Sequence, residues 1–362
     1  MHYRKLTLLM LFALLVVSIT PTFAQDETSE CEDGFRLFDH EFLATDPVCI
    51  PENPERIVPI DLIGLEFMLI HDIQPVVSSF AIQGLFASSH PDLLPLLQDF
   101  TAGLPDMGFP IDPEAILSAE PDLIIASTLI FDPEIYDEMS QIAPVALFNA
   151  PFEEFGQDWR PSVDFIGQAL NMTEEADAVL TTYDERVASL QETLGEGYEN
   201  TTISVVNVVS QDILRLRLAG SFSGILINDI GLMQPESQQA FIGEDGASIV
   251  NNISQERWTE IDADYVFMYQ FGASLGEVAE VGAFLDDFAD IPIWNVLEPV
   301  QEGRIYPVST HWHGFGIFAA HAVLDDLFVI VAEAEPLIAN PYTAETLSDV
   351  SPEIESTEEA SD

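Results

Sequence analysis

Positive charge is what this chain has least of. Of its 362 residues only 10 are Lys or Arg, against 63 Asp and Glu, for a formal net charge of −53 at pH 7. Arg4 and Lys5 lie in the opening segment, so the chain beyond it carries no lysine and eight arginines. A field of that sign excludes nucleic acid and anionic membrane surfaces as partners, because both are polyanions. Salt screening would ease the self-repulsion, so the acidity fits a saline habitat as well as a plain demand for solubility. It also makes each remaining arginine a rare local cation.

Cysteine is nearly absent: Cys31 and Cys49 are the only two. In an exported chain an even pair reads as a disulfide, and closing a loop of this size contributes about 3 kcal/mol in the chain-entropy model. A two-cysteine metal site would have only His40 nearby as a partner. Long apolar runs are equally scarce. The single one, Leu8 to Ile19, follows His2, Arg4 and Lys5 and precedes Thr22-Phe23-Ala24. That order describes a secretory signal peptide over 1–24, too short for a span of about 20 residues, with a retained anchor as the alternative. A bacterial lipoprotein would need a cysteine at the cleavage point, and Cys31 lies seven residues past Ala24. The mature protein is therefore expected outside the cytoplasm. Catalytic signatures are lacking too: there is no Gly-x-Ser-x-Gly elbow, no phosphate-cradling glycine loop and no paired zinc motif. Neighbouring carboxylates argue nothing here, since chance supplies them in so acidic a chain.

What the chain does have is a long amphipathic stretch from Pro161 to Leu194. Val163, Ile166, Leu170, Ala176, Val179, Tyr183, Val187, Leu190 and Leu194 recur at steps of mostly three or four, one face of an α-helix. Pro161 suits the first turn, Gly195 and Gly197 mark the end, and a kink near Asn171 is an option. At 1.5 Å per residue the helix would run roughly 50 Å, longer than a small domain is wide. Similar material flanks it. Ile57–Ile60, Pro75–Ser78, Asp122–Ala126 and Pro144–Phe148 read as buried strands alternating with helices, the pattern of a parallel sheet covered on both faces. Ile203–Val209, Ile213–Leu218, Tyr265–Tyr269 and Arg304–Val308 repeat it, and Phe315–Glu333 reads as a long final helix. Two echoes suggest duplication. Glu114 precedes Asp122 by eight residues and Glu256 precedes Asp264 by eight, each time before an apolar strand. Ile70-His71-Asp72-Ile73 likewise resembles Ile227-Asn228-Asp229-Ile230.

The chain resembles the substrate-binding proteins of iron–siderophore and cobalamin ABC importers. The resemblance rests on Ile50 to Val58, Gly108 to Ala126, Ala219 to Gly224, Ile230-Gly231-Leu232, Ile253 to Glu256, Ile261 to Asp264 and Trp312. It implies two Rossmann-like α/β lobes joined by one long rigid helix, the class III periplasmic-binding-protein fold, with no catalysis. The resulting division is a signal peptide at 1–24, an extension with a disulfide at 25–52, an α/β lobe at 53–157, a linking helix at 158–197, a second lobe at 198–340 and an acidic disordered tail at 341–362. The implied ligand is a ferric siderophore, with iron carried as a chelate and no resident cofactor; haem, cobalamin or a bare metal ion is the alternative on this fold. An ABC permease with its ATPase would be the partner, and the protein is expected to be a monomer.

An oxygen-rich chelate calls for aromatic surface and cationic donors, and arginine offers a planar fork that keeps its charge. Arg215 and Arg217, two apart on a strand and therefore on one face, are the leading candidates. Trp312, Tyr269 and Phe271 join them from the second lobe, with Phe109 and Ser127 from the first and Phe80 and Phe131 behind them. The general negative field favours neutral hydroxamate or small carboxylate chelates, a preference the two arginines would reverse locally. Glu114 and Glu256 match the positions at which the resembling proteins dock onto permease arginines; Glu66, in a more buried segment, suits that role less. His311 and His313 share a side if extended and raise a metal or haem reading, with His321 the only further histidine nearby.

Overall fold

The computed structural model describes residues 31–128, 133–149, 158–239, 241, 249–270, 281–314 and 316–348. Cys31 and Cys49 are joined by the expected disulfide. It staples an antiparallel hairpin of β1 (Phe35–Phe38) and β2 (Val48–Pro51). The alternation of β1 buries Phe38 edge-on against Phe165 while Arg36 donates to the carbonyls of Gln168 and Ala169.

The first lobe follows as β3 (Ile57–Ile60), α1 (Leu62–Ile70), α2 (Phe80–Ser89), α3 (Leu94–Phe100), α4 (Pro113–Ser118), β4 (Leu123–Ser127), α5 (Pro133–Met139) and β5 (Val145–Phe148). β3, β4 and β5 form a parallel sheet in that order. Every residue of the three strands is buried, as their unbroken apolar runs require. The strand expected over Pro75–Ser78 is reduced to a bridge between Ser78 and Asp106. Pro75 has no N–H for a ladder, and Val76 makes a backbone bond to Ile57 instead.

The connecting segment is two helices, α6 (Arg160–Ala169) and α7 (Thr173–Leu194), where the apolar spacing suggests one. Asn171 takes φ 58° between them, a left-handed conformation that asparagine tolerates and a continuous helix does not. At this elbow Gly167 lies so close to Ala176 that a Cβ would collide with it. Gly195, at φ 76°, ends α7.

The second lobe contains β6 (Ile203–Ser210), β7 (Ile213–Arg217), α8 (Phe222–Ile230), α9 (Glu236–Gln239), β8 (Ile249–Ile253), β9 (Tyr265–Tyr269), α10 (Val281–Phe288), α11 (Glu298–Gln301), β10 (Ile305–Pro307) and α12 (Ile317–Ile330). Its sheet runs β10-β9-β6-β7-β8. β10, β9 and β6 are parallel, but β7 is antiparallel to both neighbours; towards β6 this follows because only Gln211 and Asp212 separate them and so short a link cannot cross over. The two faces of this sheet serve different cores. Val206, Val208, Leu214, Leu216 and Met268 pack outward with Trp258, Phe288 and Trp294. Ile203, Val205, Phe267 and Tyr269 join the large core that also includes α7, α12 and the first lobe.

The duplication is visible in hydrogen bonds. Before β4, the Asp122 carboxylate accepts from the amides of Glu55 and Arg56 at 2.8 and 3.0 Å, just ahead of β3. Before β9, Asp264 accepts from the amide of Thr202 at 2.8 Å, just ahead of β6. Each aspartate thus pins its strand to the neighbouring parallel one. The tail departs from expectation at its start. α13 (Ala344–Ser348) is formed, and Tyr342 and Leu347 are buried, Tyr342 edge-on to His321 at 4.8 Å. Residues 341–348 are therefore part of the fold, because apolar side chains interrupt the acidic composition there. The rest of the tail and the signal segment lie outside the described residues.

Candidate functional site

Arg215 on β7 pairs in register with Asn207 on β6, which pairs with Tyr269 on β9, so the three side chains form a row across the inner face of the sheet. Arg217 lies one step along the same face. It is almost fully buried, and its Nε donates to the Tyr269 hydroxyl at 2.6 Å. Its terminal nitrogen donates to His313 Nδ1, which also lies 3.2 Å from the Tyr269 hydroxyl. Gln234 holds the strand from below, donating to the Arg217 carbonyl at 2.7 Å. Arg215 is half-buried, and its Nε has no hydrogen-bond partner among the described residues.

The protonation states follow from burial and these cations. Burial, then Arg217 and Arg215, push His313 well below the ordinary imidazole range, so it is neutral. Burial raises the Tyr269 phenol while the same arginines pull it back, leaving it protonated at neutral pH. The site therefore presents two guanidinium charges with neutral partners. Elsewhere the arginines are occupied. Arg160, Arg186, Arg257 and Arg304 pair with carboxylates, and Arg36 and Arg56 donate to backbone carbonyls. Among the described residues no carboxylate pairs with Arg215 or Arg217. In a chain with 63 acidic side chains, none of those among the described residues is placed against these two.

The other sequence candidates separate. Tyr269 is in the row, but Trp312 is a core residue with no exposure. Its ring stacks on Phe267 at 4.3 Å, and its Nε1 donates to Asp326 at 2.7 Å. Its loop position suggested a cleft aromatic, but the short helical turn Thr310–Trp312 points it inward. That turn also sends the histidines apart. His311 pairs with Asp326 at 2.8 Å while His313 meets Arg217, so they share no face. Among the described residues no group of three or more metal-ligating side chains is assembled. Ser127 is buried at the end of β4, and Phe109 is 72% exposed in the turn before α4. Phe271, Phe131 and the side chain of Phe80 lie outside the described residues.

Glu114 and Glu256 occupy equivalent places, each exposed in a first helical turn eight residues before a clamping aspartate. Sequence reasoning missed Asn207 and the role of His313 as an acceptor for Arg217. The lone polar residue in Val205-Val206-Asn207-Val208-Val209 was a visible signal for the first.

Comparison with known proteins bears on this geometry. A family model described as periplasmic binding protein matches residues 101–309. A probable siderophore-binding lipoprotein of Bacillus subtilis is 27% identical over 332 residues, 90% of this chain and 97% of the relative. An achromobactin-binding periplasmic protein of Dickeya dadantii is 26% identical over 238 residues, 64% of this chain and 73% of the relative. Among solved structures, Staphylococcus aureus SirA complexed with staphyloferrin B superimposes with a TM-score of 0.64 at 22% identity, covering 82% of this chain and 98% of that one. At that identity the structural likeness carries the two-lobed α/β fold.

Proposed function

The chain belongs to the periplasmic binding protein family, and from that premise we propose that it captures a ferric chelate between its lobes and delivers it to an ABC permease. The observation that carries this reading is the pair Arg215 and Arg217, buried or half-buried on one strand face without a carboxylate partner among the described residues. Leaving a cation so placed is costly unless an outside anion completes it. The pair therefore favours a chelate that presents anionic oxygens, against the neutral chelate that net charge alone suggests. The relatives agree in kind: two are named for siderophore or achromobactin binding, and the solved structure holds staphyloferrin B.

In this reading iron is cargo, and the protein needs no resident cofactor and performs no catalysis. Tyr269 and His313 hold Arg217 in a fixed pose, so its fork is set before the ligand arrives. Arg215 supplies the second cation. Phe109 and Ser127 are the first-lobe contacts of this reading, with Phe271 as a further aromatic. Glu114 and Glu256, one per lobe, are the permease contacts; charges so spaced fix register more than they add affinity. The protein acts as a monomer outside the cytoplasm. Cys31, the cysteine nearest the signal segment, is engaged with Cys49. Among the described residues no helix is long and apolar enough to cross a membrane.

The test is calorimetric titration of the mature protein with ferric citrate, ferric α-hydroxycarboxylate, catecholate and hydroxamate chelates, then cobalamin, haem and bare metal ions. Saturable binding of an anionic ferric chelate, lost in Arg217→Met, supports the reading. Binding of haem or metal alone, or of no chelate, overturns it.

A further inference from the structure

Glu66, on α1 of the first lobe, is fully buried, yet among the described residues its carboxyl group makes no hydrogen bond within its own lobe, where Asp61 is the nearby charge. Its Oε2 accepts from the backbone amides of Ile317 and Phe318 at 2.6 and 3.4 Å, 251 and 252 residues away. Those amides are the first donors of α12, which have no partner within the helix. Gly316 has extended backbone (φ 178°), which any residue adopts, but a Cβ there would collide with Oε2 and sit 2.8 Å from Oε1. The three atoms nearest to such a Cβ all belong to the Glu66 carboxyl group.

From α12 the connection continues to the cation pair. Asp326 on α12 accepts from Trp312 and pairs with His311, fixing the turn Thr310–Trp312. His313, next along the chain, accepts from Arg217. Phe318 meets Phe86 and His90 of the first lobe edge-on at 5.8 and 6.0 Å, which seats the same helix end. Asp61, the capping residue of α1, is the nearest further carboxylate and bonds to Gly64.

We propose that Glu66 is an interlobe positioning residue: by capping α12 from the first lobe it fixes the turn that carries His313 and so sets the pose of Arg217. The proposal deepens the chelate-binding reading, but its first readout does not depend on it. Glu66→Gln keeps an acceptor oxygen for the Ile317 amide; Glu66→Ala removes it. Nitrogen-15 NMR of the histidine rings in the unliganded full mature chain reports whether His313 Nδ1 still accepts a hydrogen bond. Glu66→Gln should keep the wild-type signature, and Glu66→Ala should shift it while leaving His40 unchanged.

Gly316→Ala, whose methyl would displace the Glu66 carboxyl group, provides a second variant that by itself should shift the His313 signal, and an unchanged signal there would also overturn the proposal. This variant should disturb the His313 signal when Glu66 is present and less when Glu66 is also shortened to Ala, a non-additivity that general destabilisation would not produce. Chelate affinity should fall about tenfold in Glu66→Ala and stay within about twofold in Glu66→Gln, the fold-change of one lost hydrogen bond. An unchanged His313 signature in Glu66→Ala, or strict additivity with Gly316→Ala, overturns the proposal. If wild type binds no chelate but the NMR pattern holds, the functional reading fails and the positioning role stands.

Discussion

Arg215 makes no hydrogen bond or ion pair within the described residues, and replacing it with Gln should therefore separate binding from stability. A hydrogen bond to a charged group contributes about 1.5–3 kcal/mol, because its partner is otherwise left desolvated. If Arg215 completes an anionic chelate, losing about 2 kcal/mol weakens binding roughly 30-fold at 25 °C. Stability should move the other way or not at all. No protein acceptor is orphaned, and an uncompensated half-buried cation is removed. Arg217→Met differs in kind: it strips the donor from Tyr269 and His313, so both affinity and melting temperature should fall. The assay is paired: calorimetric titration with an anionic ferric chelate, and thermal unfolding without ligand. A melting temperature that drops in Arg215→Gln by several degrees with affinity unchanged would mean that the arginine serves the fold, and the reasoning fails.

Burial raises Glu66 from its usual 4.5 to about 8, so the folded state holds that proton more tightly than the unfolded chain does. Stability from this group is thus full below pH 4.5 and lost as pH rises through 8, by on the order of several kcal/mol. Urea unfolding between pH 5 and 8.5 should show a slope that Glu66→Gln flattens; equal slopes would contradict it. Because the chain repels anions at long range, stopped-flow association of an anionic chelate should speed up several-fold as salt rises from about 10 to 150 mM, where the screening length shrinks from about 30 to 8 Å. A rate that falls with salt would show that the local cations steer the encounter instead. Trp312→Ala should cost about 3–5 kcal/mol of stability through an emptied core position, with ligand affinity affected only through that loss. A folded, equally stable variant that no longer binds would return Trp312 to the cleft.

Residues reveal in sequence what their local neighbourhood decides, and hide what distant contacts decide. The connecting helices were legible because Val163 to Leu194 keep the period of a buried face. The break between them was legible only as an option near Asn171, since apolar spacing continues across it while its φ turns left-handed. Arg215 and Arg217 stood out through scarcity and alternation on a strand. Trp312 misled, because a loop aromatic before a helix reads the same whether it faces solvent or stacks on Phe267. His311 and His313 misled for a related reason: two residues apart share a side in a strand but not in a tight helical turn. Glu66 was set aside as merely buried, for its partners lie in the other lobe and no local pattern announces them.

The elbow at Asn171 has a consequence for the proposed permease encounter. Gly167 and Ala176 leave no room there for the helices to fold further, and Arg186 on α7 is bound to His321 and Asp325 of α12. If Glu114 and Glu256 are the permease contacts proposed above, the span between them would then change little, like the jaws of a gauge. An empty protein and a loaded one would offer a permease almost the same outline. On the proposed reading, what distinguishes them would be the patch of chelate left showing between the lobes, so the transporter would check its cargo by touching the cargo itself.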